Sequence, residues 1–417
     1  MVERFFSDAE VAQRLRRGPL GPYLDSYAAT IDALGFARST TRTQLWFLSE
    51  LGRWLQRQAV PVAELDERVV EAFLSDRRRR RGGLHRSDVA TARRFRGHLR
   101  KKGVVAPTES RGEESALDGL IRRYEAYLKR ERGLERVTLG GYRPFVHRFL
   151  VERFKDEPPR LKTLNASDIS SFVQRHARSM TPKRAQLMVS ALRSFFRFLL
   201  QRGEIATDLA ACVPAVADWR LSTVPKYLGA EEVERLLSSC DQRTGIGRRD
   251  HAILLLLARL GLRASEVVAL ELDDIDWRAG EIVVRGKGQQ HDRLPLLQEV
   301  GEALTTYLRR DRPGVSTRRV FVRVRAPLRG FAGPVAISTI VRRGLQRADL
   351  QGLGKGVAAH LLRHSLATGL LRRGASMAEI GEVLRHRTPA TTEIYAKVDI
   401  GSLRSLSQPW PGSGGGQ

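Results

Sequence analysis

Cysteine is nearly missing. Cys212 and Cys240 are the only two in 417 residues. Two cysteines make neither a disulfide framework nor a zinc-ligand spacing, so the expected setting is a reducing cytoplasm and the expected role of both is that of small buried hydrophobes. Long apolar runs are missing too. The most apolar segment, Ala252 to Ala258, is far shorter than the roughly 20 residues that cross a bilayer. The opening MVERFFSDAEVAQRLRRG is charged and lacks the apolar stretch of a secretory signal. The expectation is a soluble, cytoplasmic protein with no membrane partner. Acidic residues are in deficit, 46 against 72 Lys and Arg, for a formal net charge of +26. Such an excess repels itself and calls for a polyanion. Nucleic acid is the first candidate, because each neutralised phosphate releases counterions. An anionic membrane surface is the second.

The length suits two or three domains, and 42% apolar residues suit globular cores. Self-comparison finds a repeat. Residues from about Tyr23 to Val104 resemble those from about Ile121 to Glu204. Tyr27 begins a helical stretch, Gly35 ends it and Thr40 opens the next; Tyr127, Gly133 and Thr138 match them. Leu65 and Phe73 then match Leu164 and Phe172. RFRGHLRKKGVV and SFFRFLLQRGEI close the copies and align Gly103 with Gly203. The offsets stay between 98 and 100 residues. Apolar residues recur at three- and four-residue spacing, and glycine follows basic residues at helix ends. Each copy therefore reads as a bundle of about four helices. APTESRGEES between the copies reads as a linker, and a second boundary falls near Val213 to Pro225. The run Arg77 to Arg81 reads as a basic loop between helices, either solvated or touching a DNA backbone.

From Lys226 the texture changes. EEVERLLSSC reads as an amphipathic helix, and RRDHAILLLLARL as a buried one stopped by Gly261. DIDWRAGEIVVRGKGQQHDRLPL alternates like a small antiparallel sheet, with turns at Arg278 to Gly280 and Gly286 to Gln290. The rest is mostly helical, and QPWPGSGGGQ reads as a disordered tail.

Four local signals lie in this half. In GLRASEV, Arg263 opens a helix and Glu266 can orient its guanidinium from the same face. In RGKGQ, Lys287 sits on a glycine-flanked turn. In HLLRHS, His360 and Arg363 share a helical face and suit an anion better than a metal. In LRHRTPATTEIYAKV stand His386 and Tyr395. Taken singly, each has a bland reading: a surface ion pair, a solvated lysine, an incidental pair, a half-buried aromatic.

Together, the order and spacing of Arg263, Lys287, His360, Arg363, His386 and Tyr395 resemble the tyrosine recombinases, the phage integrase family. The likeness runs over about Lys226 to Leu406. A second stretch, about Leu120 to Ala210, resembles the family's core-binding domain. The resemblance implies a mainly α fold with a small antiparallel β-sheet in the C-terminal domain. Two N-terminal helical bundles, SAM-like and core-binding, would precede an α+β catalytic domain. The expected domains are residues 1–107, DNA-binding-like and a duplicate of the next; 108–218, core-binding; and 219–417, catalytic with the C-terminal tail.

The implied function is site-specific DNA recombination, as in an integrase or transposase of a mobile element, through a 3′-phosphotyrosyl intermediate. Arg263 and Arg363 would grip the phosphate with planar, permanently charged forks. Tyr395 would attack, with adjacent cations favouring its phenolate and His360 accepting its proton. His386 would donate to the phosphate, Lys287 would protonate the departing 5′ hydroxyl, and Glu266 would support Arg263. No cofactor, metal or ATP is implied. The implied partners are double-stranded DNA and further copies of the chain, as a tetramer on paired sites linked through AKVDIGSLRSL, with sister recombinases as further partners. The family usually carries Leu-Gly-His where this chain has Leu384-Arg385-His386. That change alters packing or adds a backbone contact, and it removes no catalytic position. Three other readings stay open: a type IB topoisomerase-like relaxing enzyme, a catalytically silent DNA-binding regulator on the same fold, and a metal-dependent nuclease using the acids of Glu271 to Asp276.

Overall fold

The computed structural model describes residues 1–85, 87–106, 115–134, 136–155, 157–217, 225–286, 291–350 and 359–398. Lys287, the linker core 107–114 and everything from 399 onward lie outside them. Among the described residues no helix is long and apolar enough to cross a membrane. The chain forms two compact units, Met1–Ala106 with Thr223–Gln417, and Pro107–Ser222.

In the first unit, residues 1–106 hold α1 (Ala9–Arg16), α2 (Gly21–Ala33), α3 (Arg38–Arg57), α4 (Glu67–Arg81) and α5 (Asp88–Lys101) around their own apolar core. The second unit holds α6 (Ala116–Arg130), α7 (Arg136–Phe154), α8 (Ala166–Ala177) and α9 (Pro182–Gln201) around another. Two local features recur in both sets of helices. Phe73 packs edge-on against Phe47 at 5.4 Å, and Phe172 against Phe149 at 5.3 Å. Both copies close on the same left-handed glycine cap. Gly103 has φ +72 and Gly203 φ +68, and the next N–H reaches back to Leu99 O and Leu199 O, each at 3.0 Å.

Two local expectations are corrected. Tyr27 does not open a helix but lies inside α2, which starts at Gly21 with Pro22 in its first turn, where proline's missing N–H costs nothing. The run Arg77 to Arg81 is not a loop but the last turn of α4, where cations oppose the negative end of the helix and Gly82 caps it at φ +68. Arg77 is buried against Glu50 and Asp88, 3.1 Å from the latter.

Residues 225–398 build the remaining part of the first unit around a third core. Its helices are α10 (Ala230–Ser238), α11 (Gly245–Arg259), α12 (Ala264–Ala269), α13 (Gln298–Arg310), α14 (Val335–Arg347), α15 (His360–Arg372) and α16 (Met377–Val383). A three-stranded antiparallel sheet, β1 (Ile275–Asp276), β2 (Glu281–Arg285) and β3 (His291–Pro295), runs in sequence order. Thus the mainly α fold with one small sheet is as the sequence suggests. Period-2 alternation points Ile282 and Val284 of β2 inward. Ile253 to Leu257 of α11 are all buried, each contributing about 1.5–3 kcal/mol on leaving water. That helix is the rigid post from which the site is hung.

Candidate active site

The site assembles where the ends of α11 and α16 meet. Leu260 ends α11 and Gly261 follows at φ +58. A Cβ at Gly261 would lie 2.8 Å from Leu384 Cδ2 and 3.0 Å from Leu366 Cδ2. Only glycine serves there, because both the backbone and the packing exclude a side chain. Two residues on, Arg263 caps α12. The Glu266 carboxylate accepts from the Arg263 backbone N–H at 2.7 Å and from its Nη1 at 2.7 Å. Arg263 keeps 36% of its side chain exposed, while Glu266 is buried. Burial alone would raise the Glu266 carboxyl. The Arg263 backbone hydrogen bond and the charges of Arg385 and Arg263 outweigh it and hold the group below its ordinary value.

Arg363, on α15, is buried and donates through both terminal nitrogens to the carbonyls of Gly261 and Leu384. One guanidinium thus pins the end of α11 to the end of α16. Burial, then repulsion from Arg263 and Arg385, pushes its pKa down to about 10, so it stays protonated at neutral pH. Arg263 reaches the same turn, with Nη2 3.4 Å from Arg385 O. The turn itself is a left-handed cap: Arg385 has φ +54, its N–H donates to Glu382 O at 2.9 Å, and His386 N–H donates to Gly381 O at 2.8 Å. Glycine is the natural residue at such a position, and a side chain there costs about 1–2 kcal/mol.

Tyr395 follows α16 in a short 3-10 segment and is 2% exposed. Its phenol oxygen lies 2.9 Å from His364 Nδ1. The His386 ring stacks parallel to the Tyr395 ring, at 6.4 Å and 3°, and bonds Thr392 Oγ1 through Nδ1 at 2.7 Å. Burial lifts the Tyr395 phenol to about 12 against the opposing pull of Arg363 and Arg263. Burial and the charges of Arg363, Arg263 and Arg385 push His386 down to about 4. At neutral pH the pocket therefore holds a protonated phenol, a neutral imidazole and an excess of guanidinium charge. It is built for an anion, and ionising its phenol needs a partner to take the proton.

Of the residues singled out in the sequence, Arg263, Glu266, Arg363, His386 and Tyr395 come together here. His360 stands at the start of α15, with its ring 6.4 Å from that of His364. Lys287 falls outside the described residues. The sequence reading passed over His364, although it lies four residues from His360 on the same helical face and that spacing was a usable signal. It also left open what Arg385 does. The acids of Glu271 to Asp276 are already engaged: Asp274 accepts from Arg285 at 2.7 Å, Asp273 pairs with Arg318, Glu271 lies 3.2 Å from Arg285, and Asp276 accepts from the backbone N–H groups of Arg278 and Ala279 at 3.0 and 2.9 Å.

Comparison with known proteins follows the same lines. Residues 226–401 match the phage integrase family, and residues 121–203 match the phage integrase N-terminal SAM-like domain. The integrase/recombinase y4rA of Sinorhizobium fredii is 43% identical, over 98% of this chain and 99% of that protein. Tyrosine recombinase XerD of Listeria monocytogenes is 31% identical over 68% of this chain and 95% of its own length. Among solved structures, a lambda integrase tetramer bound to a Holliday junction shares the fold, with a TM-score of 0.51 at 19% identity over 75% of this chain and 88% of that one.

Proposed function

The chain belongs to the phage integrase family of tyrosine recombinases and is a site-specific recombinase; from this premise we propose that Tyr395 is the nucleophile that cuts and rejoins DNA. One observation carries the assignment: a buried phenol, hydrogen-bonded to His364, beside two buried or half-buried guanidiniums whose charge exceeds that of the single carboxylate among them.

In the proposed step the Tyr395 oxygen attacks a backbone phosphorus and forms a P–O bond. The P–O5′ bond breaks, and the 5′ oxygen leaves as a hydroxyl. Arg263 and Arg363 stabilise the charge that builds on the non-bridging oxygens. His364 takes the phenol proton, with His360 one turn away as the next group in line. Neutral His386 donates a hydrogen bond to the phosphate, and Lys287 supplies the proton to the leaving oxygen. The product is a 3′-phosphotyrosine, and attack by another strand's 5′ hydroxyl reverses the bond changes. The bond count is conserved, so rejoining requires neither ATP nor a metal.

The domains we propose are residues 1–107, 108–218 and 219–417, the first a duplicate of the second. The partners are double-stranded DNA and other copies of this chain, as a tetramer on paired sites. The lambda integrase tetramer on its junction supports that assembly by analogy of fold. The segment from Ala396 onward is the proposed link between copies, and mobilisation of a genetic element is the proposed setting.

The test uses the full chain and a random-sequence pool of nicked duplexes, in which a released short strand traps the intermediate. SDS-stable protein–DNA adducts enriched for one sequence support the reading. Their absence across the pool overturns it.

A further inference from the structure

Arg385 occupies a backbone position that favours glycine, at φ +54, and its side chain does not turn outward. An arginine just past a helix end ordinarily reaches solvent. This one is 6% exposed. Its Nη2 donates to Glu266 Oε2 at 2.8 Å, and its Nη1 reaches Leu260 O at 3.4 Å. Its Nε has no hydrogen-bond partner and lies 3.7 Å from Asp292 Oδ2 on β3.

Glu266 is therefore shared. Oε1 accepts from Arg263 Nη1, and Oε2 accepts from both the Arg263 backbone and Arg385. With glycine at 385, the buried carboxylate would face Arg263 alone and cancel its charge, and Oε2 would be open to the second edge of the Arg263 fork. With arginine there, the carboxylate is already neutralised from behind. Arg263 then keeps its net charge for a ligand, with Nη1 on Glu266 Oε1 and Nη2 in a long 3.4 Å contact with the Arg385 carbonyl.

We propose that Arg385 is a positioning residue of the phosphate grip: by occupying Glu266 Oε2 it frees the Arg263 guanidinium to act on the scissile phosphate. The inference rests on the recombinase reading above and goes beyond it. Arg385 does not touch the reacting atoms; it works through Glu266 and Arg263. The benefit falls on the transition state, where phosphate charge is greatest, rather than on the many distant contacts that hold DNA.

The test compares the unmodified chain with Arg385→Gly and Arg385→Lys, all full length and all well below their melting temperatures. Glycine suits the left-handed backbone, so this variant keeps the cap. The probes are the nicked duplexes recovered from the random-sequence pool. The readouts are the single-turnover rate of adduct formation at saturating DNA and the dissociation constant for the same duplexes. Arg385→Gly is expected to slow adduct formation about tenfold or more while affinity changes less than about twofold, the pattern of an interaction made mainly in the transition state. Arg385→Lys, which keeps the charge without the fork, is expected to recover part of the rate. An unchanged rate for Arg385→Gly overturns the inference, as does a loss that more DNA restores. If the unmodified chain itself forms no adduct, the recombinase reading fails first, and the two failures are told apart by that control.

Discussion

The phenol oxygen of Tyr395 sits 2.9 Å from Nδ1 of His364, a histidine directly after the buried Arg363 in the chain. The contact joins the segment after α16 to the middle of α15 and gives the most buried tyrosine of the site a polar partner. It also gives a phenol whose pKa is pushed up to about 12 a neighbour able to take its proton.

His364→Phe keeps the ring volume and removes the nitrogen. Adduct formation is expected to fall by about a hundredfold, the lower range for a lost proton-transfer group. DNA affinity should hold. Quench-flow timing of the covalent adduct checks this, and a near-normal rate would return the proton-accepting role to His360.

Arg363 and Arg263 should differ in kind. Arg263→Ala removes a guanidinium with 36% of its side chain exposed and is expected to slow cleavage by about a hundredfold or more, with a smaller loss of melting temperature because Glu266 keeps Arg385 as a partner. Arg363→Ala removes a buried group that holds the carbonyls of Gly261 and Leu384, so it should lose both rate and stability, the latter by about 1–3 kcal/mol for the orphaned acceptors. Thermal melts run beside cleavage assays separate the two. Equal melting temperatures would contradict the pinning role.

Gly261→Ala places a methyl in the left-handed region, 2.8 Å from Leu384 Cδ2. A loss of about 2–4 kcal/mol is expected from backbone strain and overpacking together. Urea denaturation measures it, and a loss below about 0.5 kcal/mol would show that the two helix ends can part without cost.

Acid should weaken the fold through His386. The ring titrates at about 4 in the folded protein against an ordinary 6.5, so the folded state resists protonation. Its contribution is complete above about pH 6.5 and is lost as the pH falls from there toward 4. His386→Gln should flatten the fall in melting temperature across that window. Identical slopes for the two proteins would contradict it.

Much of this was readable in the chain, for reasons that differ by element. The buried run of α11, the amphipathic α10 and the β2–β3 hairpin announce themselves by periodicity, because each has one dominant burial pattern. Arg263, Arg363, His386 and Tyr395 were findable because their spacing is a joint signal, although each alone is unremarkable. The arginines of Arg77 to Arg81 misled, since a charge run looks the same in a loop and in the last turn of a helix; what tells them apart is non-local, such as the ion pair of Arg77 with Glu50, 27 residues away. His364, four residues from His360 on α15, was within reach of helical spacing. The sharing of Glu266 by Arg385 was hidden, because it depends on α12 meeting the end of α16 in space, and no local pattern encodes that meeting.

The central claim is tested most directly by identifying the residue that carries DNA. The adduct formed by the full chain on a nicked duplex is digested with protease and nuclease, and the nucleotide-bearing peptide is sequenced by mass spectrometry. The account predicts one modified peptide, phosphorylated at Tyr395, and no adduct from Tyr395→Phe even though that variant still binds the duplex. An adduct on any other residue, or one that survives Tyr395→Phe, contradicts it.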